Sequence, residues 1–495
     1  MRKSGILMHI SSLPSKYGIG TLGKEAFEFV DFLKDSGQTY WQVLPIGQTS
    51  YGDSPYQTFS CYAGNPYFID LDELKEEGLL DTNDLNEVDI EFSNINYEWV
   101  YNTRYKLLRK AFLKFTKDSD YEQFVKDNSF WLNDYSLFMS IKNSQNNKSW
   151  INWDEPYKFR EFITINKYIS ENEKEINFWN FVQYKFFSQW MKLKKYANSR
   201  NVKIIGDMPI YVAYDSCDVW SDPKNWLLDE NLLPEMVAGV PPDYFSETGQ
   251  LWGNPIYNYE KMKKDGYSFW INRIKASFNL FDIVRIDHFR GFEAYFGIPY
   301  GDENAIRGKW YKGPGIELFN KIEENLGKKD IIAEDLGLLT KEVYDLLEAT
   351  GFPGMRILQF AFNPHDDNNY LPHNYIKNSI CYTGTHDNMT ITEWFKLLKG
   401  EEKKFVYEYA NIKEDTNMKS NFIKDSIDKL IRLLYASVSD TVIIPIGDYL
   451  YLESEGRMNT PSVLGGNWSW RLNKNYLTNE LKDKLYNLSK TYRRL

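Results

Sequence analysis

The stretch DIVRID, residues 282–287, decides the fold. Successive side chains of a strand alternate between faces, so Arg285 and Asp287 share one face while Val284 and Ile286 pack outward on helices. Seven further short β-branched or apolar runs stand at residues 5–10, 40–44, 202–206, 331–333, 355–360, 379–382 and 442–446. Between them lie stripes of helical period, such as Ala26/Phe29/Val30/Leu33, Phe178/Val182/Phe186/Trp190 and Leu318/Phe319/Ile322/Leu326. Gly37, Gly327 and Gly351 follow such stripes directly, as helix stops do. Strand and helix alternate, which predicts parallel strands with right-handed crossovers.

Eight such units predict an α/β chain closed into a (β/α)8 TIM barrel rather than an open sheet. A plain barrel needs about 250 residues. The chain has 495, and the excess is expected as large insertions in the βα loops of one barrel domain spanning 1–495. One insertion is expected at about 46–168 after the second strand and another at about 216–259 after the third, the latter including a loop at 238–255. The segment 363–375 is expected to cap the sixth strand. These loops leave from the C-terminal rim, so the insertions are expected to wall one cleft.

Composition narrows the partners. Lys plus Arg is 59 against 69 Asp plus Glu, a net charge of −10, which argues against nucleic acid or an anionic membrane. No run reaches the roughly 18 apolar residues of a membrane span, and the start, MRKSGILMHISSLP, is too short in apolar residues for a secretory signal. Cys61, Cys217 and Cys381 are too scattered for a disulfide framework, and five His make no zinc pattern. A cytoplasmic protein is expected. The chain is 17% aromatic, and rings with a polar handle suit the apolar faces of sugars as well as a core.

The strand ends are acidic. The third ends at Asp207, the fourth at Arg285 and Asp287, the fifth at Glu334 and Asp335, and His386 and Asp387 follow the seventh. Such ends are where barrel enzymes place reacting groups. A guanidinium lowers the pKa of a neighbouring carboxylate, so Arg285 is expected to keep Asp287 ionised as a nucleophile. Crowding by Asp287 and Asp387 is expected to keep a proton on Glu334. An ionised and a protonated carboxyl together are what a retaining glycosidase requires. Asp387 is then expected to bind sugar hydroxyls beside His386, with Asp335 and His288 in structural roles. The alternatives are strand caps, salt-bridge partners or a Mg²⁺ or Ca²⁺ site, the last opposed by the cation of Arg285. Gly18, Gly20 and Gly23 show G-x-G-x-x-G spacing, but no strand runs directly into them, so no dinucleotide site is expected.

Longer blocks carry a resemblance. GILMHISSLPSKYGIGTLG, SYGDSPYQTFSCYAGNPYFIDL, GDMPIYVAYDSCDVW, VAGVPPDYFSETGQLWGNPIY, VRIDHFRGF, AEDLG, GTHDN and RMNTPSVLGGNWSWR run in order along nearly the whole chain. Together they resemble the 4-α-glucanotransferases called amylomaltase or disproportionating enzyme, relatives of the α-amylases. The resemblance implies Asp287 as nucleophile, Glu334 as general acid/base and Asp387 as transition-state stabiliser. It implies that Asp207, Arg285 and His386 hold the sugar at the cleaved bond while Tyr56 stacks on its ring. The stretch 238–255, carrying Asp243, Tyr244, Phe245, Gln250 and Trp252, resembles a mobile lid over the acceptor side, and Arg457 and Asn459 belong near the cleft. Malto-oligosaccharides and starch-like glucans are the implied substrates, with no metal or organic cofactor. One departure is Gly447, where the family is expected to favour Gln; it leaves the surroundings of Asp448 open. A plain α-glucan hydrolase, a non-catalytic glucan-binding protein and a metal-dependent phosphohydrolase or lyase are the competing readings.

Overall fold

The computed structural model describes residues 2–495 apart from Tyr51, Glu91, 243–245, Leu338, Asp367, 414–417, Ser462 and Leu464. Of the twelve strands among the described residues, numbered in chain order, eight form one parallel sheet: β1 (Lys3–Leu7), β2 (Tyr40–Gln42), β3 (Lys203–Met208), β6 (Ile283–Ile286), β9 (Ile331–Ala333), β10 (Gly354–Ile357), β11 (Ser379–Tyr382) and β12 (Thr441–Pro445). Their spatial order, β10-β11-β12-β1-β2-β3-β6-β9, is the chain order read around a ring. Across the remaining seam, between β9 and β10, the amide of Ala333 donates to the Pro353 carbonyl at 3.0 Å. The Met355 amide donates to the Asp335 carboxylate at 2.6 Å. The sheet thus wraps into the (β/α)8 barrel that the strand pattern predicts.

The period-two rule sorts the barrel's side chains. Leu7, Ile205, Ile332, Met355, Ile357, Ile380, Tyr382 and Ile443 make one small apolar cluster, the plug inside the ring. Their neighbours Ile6, Ile204, Val284, Ile286, Ile331, Cys381 and Val442 join the main core with the surrounding helices. Arg285 lies on the inner side, its Nε 3.4 Å from the Met355 sulfur, so the strand alternation carries a charge into the barrel mouth.

Between β2 and β3 the chain builds a helical layer that includes Tyr97–Lys114, Ser129–Ser144 and the long Glu173–Ser199. Two glutamines of the last helix fasten the loop after β2. Gln183 accepts from the Gly64 amide at 2.8 Å and donates to its carbonyl at 3.0 Å. Gln189 does the same for Asp70, at 2.7 and 3.2 Å. Satisfying both backbone groups of one residue at each of these two points anchors the loop to the helix.

The strand pattern does not reveal a second sheet. β4 (Met236–Val240), β5 (Gln250–Pro255), β7 (Ala294–Pro299) and β8 (Lys309–Lys312) form an antiparallel sheet in the order β5-β4-β7-β8. The stretch 238–255, expected as a loop, is therefore largely a hairpin, with Gly239 opposite Leu251 and Val240 opposite Gln250. These strands are rich in Gly, Pro and exposed residues, which masks the alternation, and the β4–β7 pairing that joins the two hairpins spans some 60 residues of sequence. The sixth barrel strand also ends earlier than expected, because 358–360 turn into a single 3-10 turn.

Candidate active site

The site begins with one cation between two acids. Arg285 is buried, and its Nη1 lies 2.7 and 2.6 Å from the two carboxylate oxygens of Asp207 on the adjacent strand. Its Nη2 lies 2.9 Å from Asp287. Register explains the pairing, since Asp207 stands directly opposite Arg285 in the β3–β6 ladder. A planar guanidinium can serve two carboxylates at once, so one buried charge orients both. The Asp287 amide donates to the Met208 carbonyl at 3.0 Å, and the Asp287 side chain keeps 29% of its surface open toward the cleft.

Glu334 is held against the same point. Its carboxylate accepts from the His288 amide at 2.7 Å and from the Leu336 amide at 3.0 Å. His288 follows Asp287 and takes a left-handed φ of 52°, which turns the chain sharply there. Burial first, then the charge of Asp287, raises the pKa of Glu334 to about 8, with Arg285 opposing. At neutral pH Glu334 therefore keeps its proton. Of the two acids expected to crowd Glu334, Asp287 contributes after burial, and Asp387 is not among the leading causes of the rise. Asp287 differs from expectation too: burial raises its pKa, and Arg285 only offsets part of that rise. Arg285 nonetheless pairs directly with Asp287 and not with Glu334, which leaves Asp287 the more readily ionised of the two.

The other wall is aromatic. Tyr56 donates its hydroxyl to Asp207 at 2.8 Å and stacks on the His386 ring with centroids 5.0 Å apart and planes at 19°. Trp468 packs against both rings, at 5.9 and 5.7 Å. Asp387 is 48% exposed; its Oδ2 lies 3.4 Å from His386 Nε2 and its Oδ1 accepts from Asn459 Nδ2 at 2.6 Å. Arg457 donates to the Asn459 carbonyl at 3.0 Å, tying the C-terminal segment to this corner. On the opposite side Trp252 meets the edge of His288 at 4.9 Å and 88°, and its Nε1 donates to Gln250 at 3.1 Å.

Direct contacts thus join Tyr56, Asp207, Arg285, Asp287, His386, Asp387 and Asn459 into one chain, and His288 connects Glu334, Trp252 and Gln250 to it. Asp243, Tyr244 and Phe245 lie outside the described residues. Asp335 faces away, bonded to Arg356 at 3.1 Å across the barrel seam. His9 and Trp468 were not singled out by strand-end reasoning. His9 sits buried close to His386, and burial lowers its pKa to about 3, so it is neutral. Only its place at the end of the first strand run hinted at it. The glycine-rich segment serves packing: the Gly20 amide donates to the Ser11 carbonyl at 2.9 Å. No group of three or more His, Cys, Asp and Glu among the described residues is arranged to hold a metal ion.

A closed barrel with a protonated and a more readily ionised carboxyl at its rim has the groups that glycosidic-bond chemistry uses. The family model for 4-alpha-glucanotransferase matches residues 8–478. A 4-alpha-glucanotransferase of Clostridium butyricum is 52% identical over 98% of this chain and 100% of its own length. The solved amylomaltase of Streptococcus agalactiae, in complex with acarbose, superposes with a TM-score of 0.95 at 41% identity, covering all of both chains. The amylomaltase of Corynebacterium glutamicum shares the fold with a TM-score of 0.82 at 17% identity, over all of this chain and 75% of that one. The chain belongs to the family of 4-alpha-glucanotransferases, enzymes that move 4-α-linked glucan segments.

Proposed function

We propose that the chain transfers segments between malto-oligosaccharides and starch-like α-glucans by double displacement. The Asp287 carboxylate attacks the anomeric carbon, the bond from that carbon to the leaving O4 breaks, and Glu334 gives its proton to that oxygen. Glu334, now ionised, takes the proton from the 4-hydroxyl of an acceptor, whose oxygen displaces Asp287 with a second inversion. The anomeric configuration is thereby retained. The observation that carries this reading is geometric: the amide next to Asp287 donates to the Glu334 carboxyl at 2.7 Å, and burial beside Asp287 raises the pKa of that carboxyl.

In this reading Asp387, aimed by Asn459, stabilises the positive charge that develops at the anomeric carbon. Asp207, Arg285 and His386 hold the sugar at the cleaved bond, and Tyr56 offers its ring as a platform. Trp252 and Gln250, together with Asp243, are read as binding on the acceptor side. Acarbose, with which the Streptococcus agalactiae amylomaltase was solved in complex, is a natural probe for this cleft. The segments 46–168 and 216–259 act as the cleft's walls. A cytoplasmic setting suits the three unpaired cysteines.

Incubation with maltotriose tests the mechanism. Wild type is expected to give glucose plus a ladder of longer chains, and Asp287→Ala neither. A ladder from folded Asp287→Ala, or only shorter products from wild type, would overturn the proposal.

A further inference from the structure

The loop that carries His386 and Asp387 is fastened at both ends by one buried acid. Asp448 lies in the short helix Ile446–Tyr449 that follows β12 and is 2% exposed. One carboxylate oxygen accepts from the Thr383 hydroxyl, the other from the Ile391 amide at 2.9 Å. Thr383 directly follows β11, and Ile391 opens the helix Ile391–Leu397, so the two bonds span the whole loop. Inside it, Asn388 Oδ1 accepts from the Thr385 amide and hydroxyl at 2.8 and 2.9 Å, which folds a tight turn with His386 and Asp387 at its apex.

His386 packs on Tyr56 and Trp468 at one side of this loop, but contact beneath it is incomplete. A cavity of about 30 Å³ lies beneath it, bordered by His9, Gly384, Thr390, Gly447 and Arg457. Gly447 presents no side chain to fill that space, and a Cβ there would come no nearer than 3.8 Å to any neighbour. Interiors transmit position through close contact, and where contact is missing hydrogen bonds must hold the geometry. Burial raises the pKa of Asp448 to about 6, and the bonds from Thr383 and Ile391 oppose that rise.

We propose that Asp448 is a positioning residue for the transfer reaction, holding the 383–391 loop so that His386 and Asp387 meet the sugar while Asp448 itself touches no substrate. This rests on the role given above to Asp387. A transition-state contact that drifts costs turnover more than ground-state affinity, so the loss should appear in kcat.

The test compares Asp448→Ala, Asp448→Asn, Asp387→Ala and the Asp387→Ala/Asp448→Ala pair on maltotriose, with near-UV circular dichroism reporting folding. Asp448→Ala is expected to lower kcat at least about tenfold with KM within about threefold. Asp448→Asn keeps an acceptor for Ile391 and a group for Thr383, and should return kcat to within about threefold of wild type. The pair should lose less than the product of the two single losses, because Asp448 acts through Asp387 and its neighbour His386. A folded Asp448→Ala with kcat within about twofold of wild type, or a pair whose loss equals the product of the single losses, overturns the proposal. If Asp448→Ala does not fold, Thr383→Val removes one of the two donors: a severalfold drop in kcat at constant KM supports the proposal and an unchanged kcat overturns it. Full activity in Asp387→Ala would instead remove the reading on which the proposal rests.

Discussion

The backbone amide of His288 donates a 2.7 Å hydrogen bond to the side chain of Glu334, so the turn that presents Asp287 also holds its partner acid. Neither acid can move far without the other. The pair is linked through one peptide unit at the junction of β6 and β9, adjacent strands of a rigid barrel.

Glu334 predicts a pH profile. Its pKa is raised from 4.5 to about 8, and the proton must be present for leaving-group departure. In the free enzyme kcat/KM is expected to fall as pH rises through about 8. Glu334→Gln should abolish that limb and lower kcat about 10²-fold or more. Initial rates on maltotriose between pH 5 and 10 check both.

The same substitution is expected to act in the opposite direction on stability at high pH. A carboxyl with a raised folded-state pKa binds its proton more tightly folded than unfolded. Its contribution is therefore fully present below about pH 4.5 and is lost as pH rises toward about 8. Glu334→Gln carries no such penalty and should melt higher than wild type at pH 9, with the gap closing at pH 5. Thermal unfolding at the two pH values measures it.

Arg285 is the sole bridge between Asp207 and Asp287 among their described contacts, and it is buried. Removing one partner of a buried ion pair leaves uncompensated charge and costs about 3–5 kcal/mol. Arg285→Met should destabilise by about that amount near pH 7, and Arg285→Met/Asp207→Asn should recover part of it. Denaturant titration of the two variants decides.

Tyr56 contributes a hydroxyl and a ring separately. Tyr56→Phe loses the bond to Asp207 and the longer 3.4 Å contact with His386 Nδ1, and is expected to lower kcat/KM by about 10- to 150-fold at most, since a hydrogen bond to a charged group is worth about 1.5–3 kcal/mol. Tyr56→Ala also loses the ring that packs His386 and should cost considerably more. Steady-state kinetics with maltotriose separate the two.

Trp252 touches His288 from the hairpin side, beside the acid pair. If it helps exclude water from the covalent intermediate, Trp252→Ala should raise hydrolysis relative to transfer. Net reducing ends rise in hydrolysis and stay constant in transfer, so their ratio to glucan redistribution reads the change directly. An unchanged ratio would count against a role for this ring.

All eight barrel strands were legible because each is a short apolar run whose burial is set locally. Residues 283–286, 331–333 and 379–382 match their strands to the residue. The antiparallel sheet was not legible. Trp310 and Tyr311 in β8 are exposed, and β4 and β5 carry glycines, so neither alternation nor apolarity marks them. The acids at strand ends could be read one by one. Their mutual contacts could not, since Asp207 and Arg285 meet only through the β3–β6 register, across 78 residues of chain.

By itself the sequence determined that eight strands would alternate with helices, that Arg285 and Asp287 would share a face, and that the acids would stand at one rim. These follow from side-chain periodicity, which is a property of neighbouring residues. Only the tertiary structure decided that Glu334 is bound to the amide beside Asp287, that burial raises both acids despite Arg285, and that Asp448 spans the loop of His386 and Asp387. Those depend on which groups lose water together and which backbones come within hydrogen-bond reach, and that is fixed when the ring closes.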